Sequence, residues 1–317
     1  MSSETRGVKS YIPSAPRIRV WLHALRAPFL TASAIPVLIG ASAAFWKTGS
    51  FAVGRFLVTL GGVVSLHLGA NLANDYFDYV TGCDDLNPEP TPFSGGSRVI
   101  QHGLISSRAI LIASCFFFAL GMGQGLWLNS TVAGNRVLWL GLAGLAGGVL
   151  YSAVPFKLSY RGIGELVVFA MFGPLAVAGS YLCQTESLEV YPFLVALPAG
   201  LLVLAILLVN EVLDVEWDEK ARKRTLVVML GKRRGYLLYL AAYLAAYAWI
   251  VVGLFLRIYP PLAILALVPL VVSMRRLSPA NALHDRPSTV NASRLTVLSH
   301  ALAGAIIAVA YFASRVW

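Results

Sequence analysis

The sequence predicts an all-α membrane protein, with nine transmembrane helices around a central cavity in two pseudo-repeated four-helix halves plus a ninth helix. Three observations carry this. The 317 residues are 57% hydrophobic and 13% charged, whereas a soluble domain carries about 25% charged residues. Apolar runs of about 20 residues, enough to span a bilayer, recur along the chain. Two of them end in aspartates, Asp75 and Asp214, which lie 139 positions apart (214 − 75), a faint internal repeat in which each acid precedes a long polar loop.

Residues 1–19 are polar and basic, contain Pro13 and Pro16, and lack the short apolar core and small-residue cleavage site of a signal peptide. They read as a mobile cytoplasmic tail, followed by a single membrane domain over 20–317. Spans are predicted at 27–46, 55–78, 108–128, 136–154, 163–184, 191–213, 235–256, 258–275 and 294–315. Pro36, Gly61-Gly62, Gly147-Gly148, Pro174 and Pro198 fall inside them, as suits packed membrane helices whose small residues let backbones approach. The Tyr259-Pro260-Pro261 turn separates the seventh span from the eighth.

Lys and Arg orient such a bundle. With the N-terminus inside, 20 of the 25 basic residues fall on the cytoplasmic side and 5 on the other. That places both acidic helix ends at the cytoplasmic face, in a bacterial inner membrane. The net charge of +10 is dispersed over loops, so it reads as orientation signals and phosphate contacts, with no nucleic-acid partner. Cys83, Cys115 and Cys183 have no CxxC spacing and read as buried thiols.

The chemistry concentrates in residues 71–103. Ionisable groups at membrane depth cost several kcal/mol and persist where they work or pair. On a helix His67, Asn71, Asp75 and Asp78 share a face, and Asn210, Asp214 and Asp218 repeat the pattern at i, i+4 and i+8. With Asp84, returned by a turn at Gly82, these carboxylates suit magnesium, which takes oxygen ligands and bridges a few carboxylates to substrate phosphates. Solvated helix ends are the plain alternative, weakened by the Asn companions inside two separate spans. Gly95-Gly96 is read as an anion nest, with Arg98 clamping phosphate oxygens. Lys223 and Arg224, just past the second stripe, are either positive-inside residues or diphosphate contacts. The same two readings hold for Lys157 and Arg161. Tyr151 is read as facing a cationic intermediate or as interfacial, Tyr160 as interfacial, and Glu165 as a first-turn carboxylate favoured by the helix dipole.

At these residues the chain resembles the UbiA superfamily of intramembrane prenyltransferases. The first signature is Asn74-Asp75-Tyr-Phe-Asp78 with Asp84; the second is Asp214-Val-Glu-Trp-Asp218. Within the superfamily it is most similar to the branch acting on 1,4-dihydroxy-2-naphthoate, through Gly95-Gly96-Ser97-Arg98-Val99-Ile100, Tyr151-Ser with Pro155, Gly162-Ile-Gly164-Glu165 and Lys223-Arg224-Thr225. The 4-hydroxybenzoate branch would have its third acid at position 82, which is glycine here. The resemblance implies transfer of a polyprenyl group from polyprenyl diphosphate to an aromatic acceptor, with loss of CO2 in the naphthoate branch. It implies two Mg2+ ions on Asp75, Asp78, Asp84, Asp214 and Asp218. Asn74 and Asn210 would be further polar ligands, and Arg98, Lys157, Lys223 and Arg224 would neutralise the leaving group; Asn71, Tyr151 and Arg161 are further substrate-binding candidates. Asp84 and Glu165 are candidates for orienting the acceptor. The rival class is an ion-coupled transporter, although transporter sites sit near the midplane and these acids sit at one face.

Overall fold

A chain this apolar crosses a bilayer only as helices or a closed barrel, and among the described residues there are helices and loops but no strand. The computed structural model describes residues 16–277, 279, 283 and 285–316. In order these form α1 (Arg17–Ala24), α2 (Thr31–Thr48), α3 (Val53–Val80), α4 (Ser107–Thr131), α5 (Arg136–Ser152), α6 (Gly164–Thr185), α7 (Tyr191–Lys220), α8 (Leu226–Leu230), α9 (Lys232–Phe255), α10 (Val268–Ser273) and α11 (Arg286–Val316). Seven of the described helices are long and apolar enough to cross a membrane: α2 with its lead-in turn Ala27–Leu30, α3, α4, α6, α7, α9 and α11. The chain is an integral, multi-pass membrane protein.

The two remaining predicted spans are less regular. The 136–154 segment is α5, whose 17 residues rise about 25 Å at 1.5 Å each. The 258–275 segment is a 3₁₀ stretch, Pro261–Leu267, followed by the six-residue α10. Pro261 and Pro269 each lack an amide hydrogen, which breaks a continuous ladder there. Residues 1–15 of the expected tail lie outside the described residues. Arg17, Ile18 and Arg19 are helical instead, because Pro16 opens a helix and Val20 and Ala24 bury against Leu72, Val99, Ile100 and Ile110. Cys83 and Cys183 are buried as expected, but Cys115 is exposed on α4, whose apolar surface is the least covered of the seven spans.

Close packing sets the frame. A Cβ on Gly40 of α2 would stand 2.3 Å from the Val177 carbonyl oxygen of α6, so only glycine permits this approach. Gly40→Ala is expected to cost about 1–3 kcal/mol, read as a lower unfolding temperature in detergent. Gly54→Ala, where a Cβ meets nothing within 4 Å, is the control and should be neutral. On α9 four fully buried tyrosines, Tyr236, Tyr239, Tyr243 and Tyr247, lie along one face. The first three hydroxyls reach the Leu277 carbonyl, Thr296, and Ser273 with Ser299, bonds that join helices where no water competes. This core of α2, α6, α7, α9 and α11 is solid. The large cavity lies on its other side, and none of its lining residues lies beyond Lys223. The expected central cavity is therefore walled by α2 to α7, with α9 packed behind α7 and α11 behind α2 and α7.

Candidate active site

The cavity, about 370 Å³, runs along α3 from Thr59 to Asp78. Its far end is apolar and glycine-rich, with Gly62, Gly121, Gly125, Gly141 and Gly144 leaving room between α3, α4 and α5. Its other end is polar. Asp78 from α3, Asp84 from the following loop, and Asp214 and Asp218 from α7 all line it, together with Asn71, Asn74, Asn210, Tyr151 and Lys223. Asp78, Asp84 and Asp218 are buried. The two acidic stripes that the sequence places on distant helices thus open into one chamber.

Three of these four carboxylates, Asp78, Asp214 and Asp218, have named polar partners. Tyr160 donates to Asp78 Oδ1 at 3.0 Å, and Asn74 Nδ2 donates to Asp78 Oδ2 at 3.0 Å and to Ser152 Oγ at 3.1 Å. Asn87 Nδ2 and the Gly95 amide donate to the two oxygens of Asp214, at 3.0 and 3.1 Å. Lys223 Nζ lies 3.5 Å from Asp218 Oδ1. Burial works against the Lys223 ammonium, but Asp218 and Asp78 outweigh it and hold its pKa well above the ordinary lysine value. Ser293 of α11 donates to Asn210 Oδ1 and fixes that amide in the wall.

The loop after α3 is what closes the site. Gly95 and Gly96 have φ of 82° and 73°, a region open chiefly to glycine. A Cβ on Gly96 would lie 2.2 Å from Asp84 Oδ2, so the loop fits over Asp84 only without side chains. The expected anion nest exists, but its amides hold the protein's own acids: Gly95 donates to Asp214 and Ser97 to Asp75. Arg98 braces the loop by donating to the carbonyls of Gly95 and Asn87 and does not line the cavity.

Other expected residues also fall outside the lining. Asp75 is buried in an ion pair with Arg26, and Ser97 Oγ donates to its second oxygen. Lys157 stacks over the Tyr160 ring, Arg161 donates to the Pro155 carbonyl, and Arg224 is exposed. Conversely, sequence reasoning passed over Arg26, which lines the cavity and reads in sequence as one more positive-inside residue. It passed over Asn87 and Glu211 too, which lack a motif. Tyr160, read from sequence as interfacial, donates its hydroxyl to Asp78 from the turn 158–160.

Oxygen donors and crowded negative charge are the chemistry that a hard cation takes. Burial, then Asp78 and Asp75, push the Asp84 carboxyl up to about 7, which marks a place short of positive charge. Among the described residues no three acids, histidines or cysteines converge into a ready-made cage.

Residues 33–295 match the UbiA prenyltransferase family. The chain belongs to that family. UbiA-family relatives include the 2-carboxy-1,4-naphthoquinone phytyltransferase of Synechocystis, 28% identical, the match covering 94% of this chain and 95% of the relative. Another is the 1,4-dihydroxy-2-naphthoate octaprenyltransferase of Mycobacterium tuberculosis, 32% identical over 78% of this chain and 85% of the relative. The fold is that of a solved UbiA homologue from Archaeoglobus fulgidus bound to DMAPP and Mg2+, with a TM-score of 0.59, 17% identity and coverage of 91% and 99% of the two chains. As a UbiA-family member the chain is a prenyltransferase, and its two aspartate motifs are the ones that meet at the polar end of the cavity.

Proposed function

We propose that the protein transfers a polyprenyl group from polyprenyl diphosphate to 1,4-dihydroxy-2-naphthoate, with loss of CO2 and release of diphosphate. The observation that carries this is one chamber with aspartates of two helices and Lys223 at one end and an apolar glycine-lined groove at the other. It has the polarity of a long lipid with a diphosphate head. The naphthoate acceptor is supported by the activities for which the Synechocystis and Mycobacterium relatives are named.

The residues divide the work as follows. Asp78, Asp84, Asp214 and Asp218 would hold two Mg2+ ions against the diphosphate, with Asp75 behind them on Arg26. Bound magnesium supplies positive charge for the diphosphate oxygens. Lys223 meets the negative charge that grows on the leaving oxygen as the C1–O bond lengthens. Asn71, Asn74 and Asn210 orient the head, and the Tyr151 ring faces the allylic cation. The apolar wall keeps water from that cation until the aromatic ring attacks it. Arg98, Lys157, Arg161 and Arg224 form an outer collar that attracts the phosphate from the membrane surface. In this reading the chain crosses the membrane nine times, counting α5 and the segment with α10, with the N-terminus and this site at the cytoplasmic face of a bacterial inner membrane. The lysine and arginine asymmetry supports that orientation. Residues 20–317 act as one domain.

Purified protein incubated with labelled polyprenyl diphosphate and 1,4-dihydroxy-2-naphthoate is expected to form prenylated product with Mg2+ and none with excess EDTA, and added Mg2+ restores it. Metal-independent product, or no product from any hydroxyaromatic acid, would overturn the assignment.

A further inference from the structure

Beside the same cavity, α6 and α7 each carry a buried glutamate. Glu165 stands in the first turn of α6. Glu211 follows Asn210 on α7 and lines the chamber. Their exposures are 2% and 7%. Glu165 Oε1 accepts the Leu226 amide at 2.6 Å, which anchors that side chain to the start of α8. The Oε2 atoms of both glutamates are buried without a donor, and the helices that carry them pack against each other. Tyr151, Asp218 and Lys223 are other ionisable groups in the lining of that chamber.

Buried polar atoms are nearly always paired, so an unpartnered oxygen on a side chain that lines a chamber in an apolar bundle points to a ligand that donates. A carboxylate accepts only. Within the reading above, a prenyl tail has no donor, a diphosphate and an aromatic carboxylate bring negative charge, and the phenolic hydroxyl of the acceptor alone supplies an O–H. We propose that Glu211 binds that hydroxyl and accepts its proton, with Glu165 as the positioning residue behind it. This rests on the aromatic-acceptor reading.

The step balances. As the allylic C1–O bond breaks, its electron pair leaves with diphosphate, and a ring π pair forms the new C–C bond. The hydroxyl proton passes to Glu211, and the O–H pair becomes the second bond of a ring carbonyl. The bond to the carboxylate then breaks, CO2 leaves, and its electron pair restores the aromatic ring. The carbonyl oxygen takes the proton back, and the pair ends the turnover as it began.

The test uses the full chain in detergent with Glu211→Gln and Glu165→Gln, measuring kcat, acceptor KM, and the Kd for polyprenyl diphosphate with Mg2+. A general base typically contributes about 10²–10⁴-fold. Glu211→Gln is expected to lower kcat at least about tenfold, while the diphosphate Kd stays within about twofold. Glu165→Gln keeps an oxygen for the Leu226 amide and should lose less, and the double variant should be no worse than Glu211→Gln, because residues acting as a unit are not additive. A loss in Glu211→Gln below tenfold, or one that the diphosphate Kd follows, overturns the proposal. Wild-type controls separate the two readings. Turnover of another phenol in place of the naphthoate removes only the naphthoate assignment, and the variants are then read on that phenol. Turnover of no phenol at all removes both.

Discussion

Asp218→Asn is expected to lower turnover by about 10²–10³-fold, the scale of losing one charged contact to the reacting head in a water-poor site. Asparagine keeps the shape of the buried side chain but removes the charge that faces Lys223 3.5 Å away. Asp78→Asn should lose as much, with an added cost in stability. Asp78 takes a hydrogen bond on each oxygen, from Tyr160 and from Asn74, and an amide nitrogen would meet one of those donors. Asp85→Asn is the internal control. Asp85 stands next to buried Asp84 but is exposed and lines nothing, so the change should be silent. The measurements are kcat with labelled prenyl diphosphate at saturating Mg2+, and unfolding temperature in the same detergent. Near wild-type turnover in Asp218→Asn would remove α7 from the site.

Much of this architecture was legible from periodicity alone. His67, Asn71, Asp75 and Asp78 recur at helical spacing, and all but Asp75 line the cavity, on an α3 face that also carries Gly62, Leu66, Ala70 and Asn74. The second stripe on α7 reads the same way, since spacing along a helix survives folding unchanged. What periodicity does not carry is which edge of a stripe a partner covers. Asp75 sits on the α3 edge over which α1 and the 95–98 loop close, and there Arg26 and Ser97 capture it. Those contacts span 49 and 22 positions of chain and leave no local signature. The basic loops were opaque for a related reason. A lysine that orients a helix and a lysine that enters a cavity have the same sequence context, so Lys157, Arg161, Lys223 and Arg224 read alike. Only the turn after α7 separates them, with the Lys223 amide bonded to the Asp218 carbonyl and its side chain folded inward. The eighth predicted span illustrates a third limit: hydropathy counts residues, and the prolines at 261 and 269 alter backbone bonding without altering hydropathy.

The same distinction yields the sharpest contrast between neighbouring residues. Lys223→Met is expected to reduce kcat by about 10²-fold or more, in the range for removing one preorganised donor from a developing anion. Arg224→Met should change it by less than about threefold at physiological salt, since an exposed charge acts through screened, long-range attraction. Methionine matches the length of each aliphatic stem, so packing is largely retained. The Lys223 ammonium is enclosed by Asp218 and the Tyr160 ring, and its removal leaves Asp78 and Asp218 facing one another with one cation fewer. The Arg224 side chain is exposed, and only its backbone amide is used, on the Tyr160 carbonyl, a bond that survives the substitution. Salt separates the two further. Raising ionic strength should weaken prenyl diphosphate capture in wild type and in Lys223→Met alike, but less in Arg224→Met, where part of the outer attraction is already gone. If both variants lost turnover equally, Lys223 would have no privileged place, and the basic segment after α7 would be a surface cluster acting as a whole.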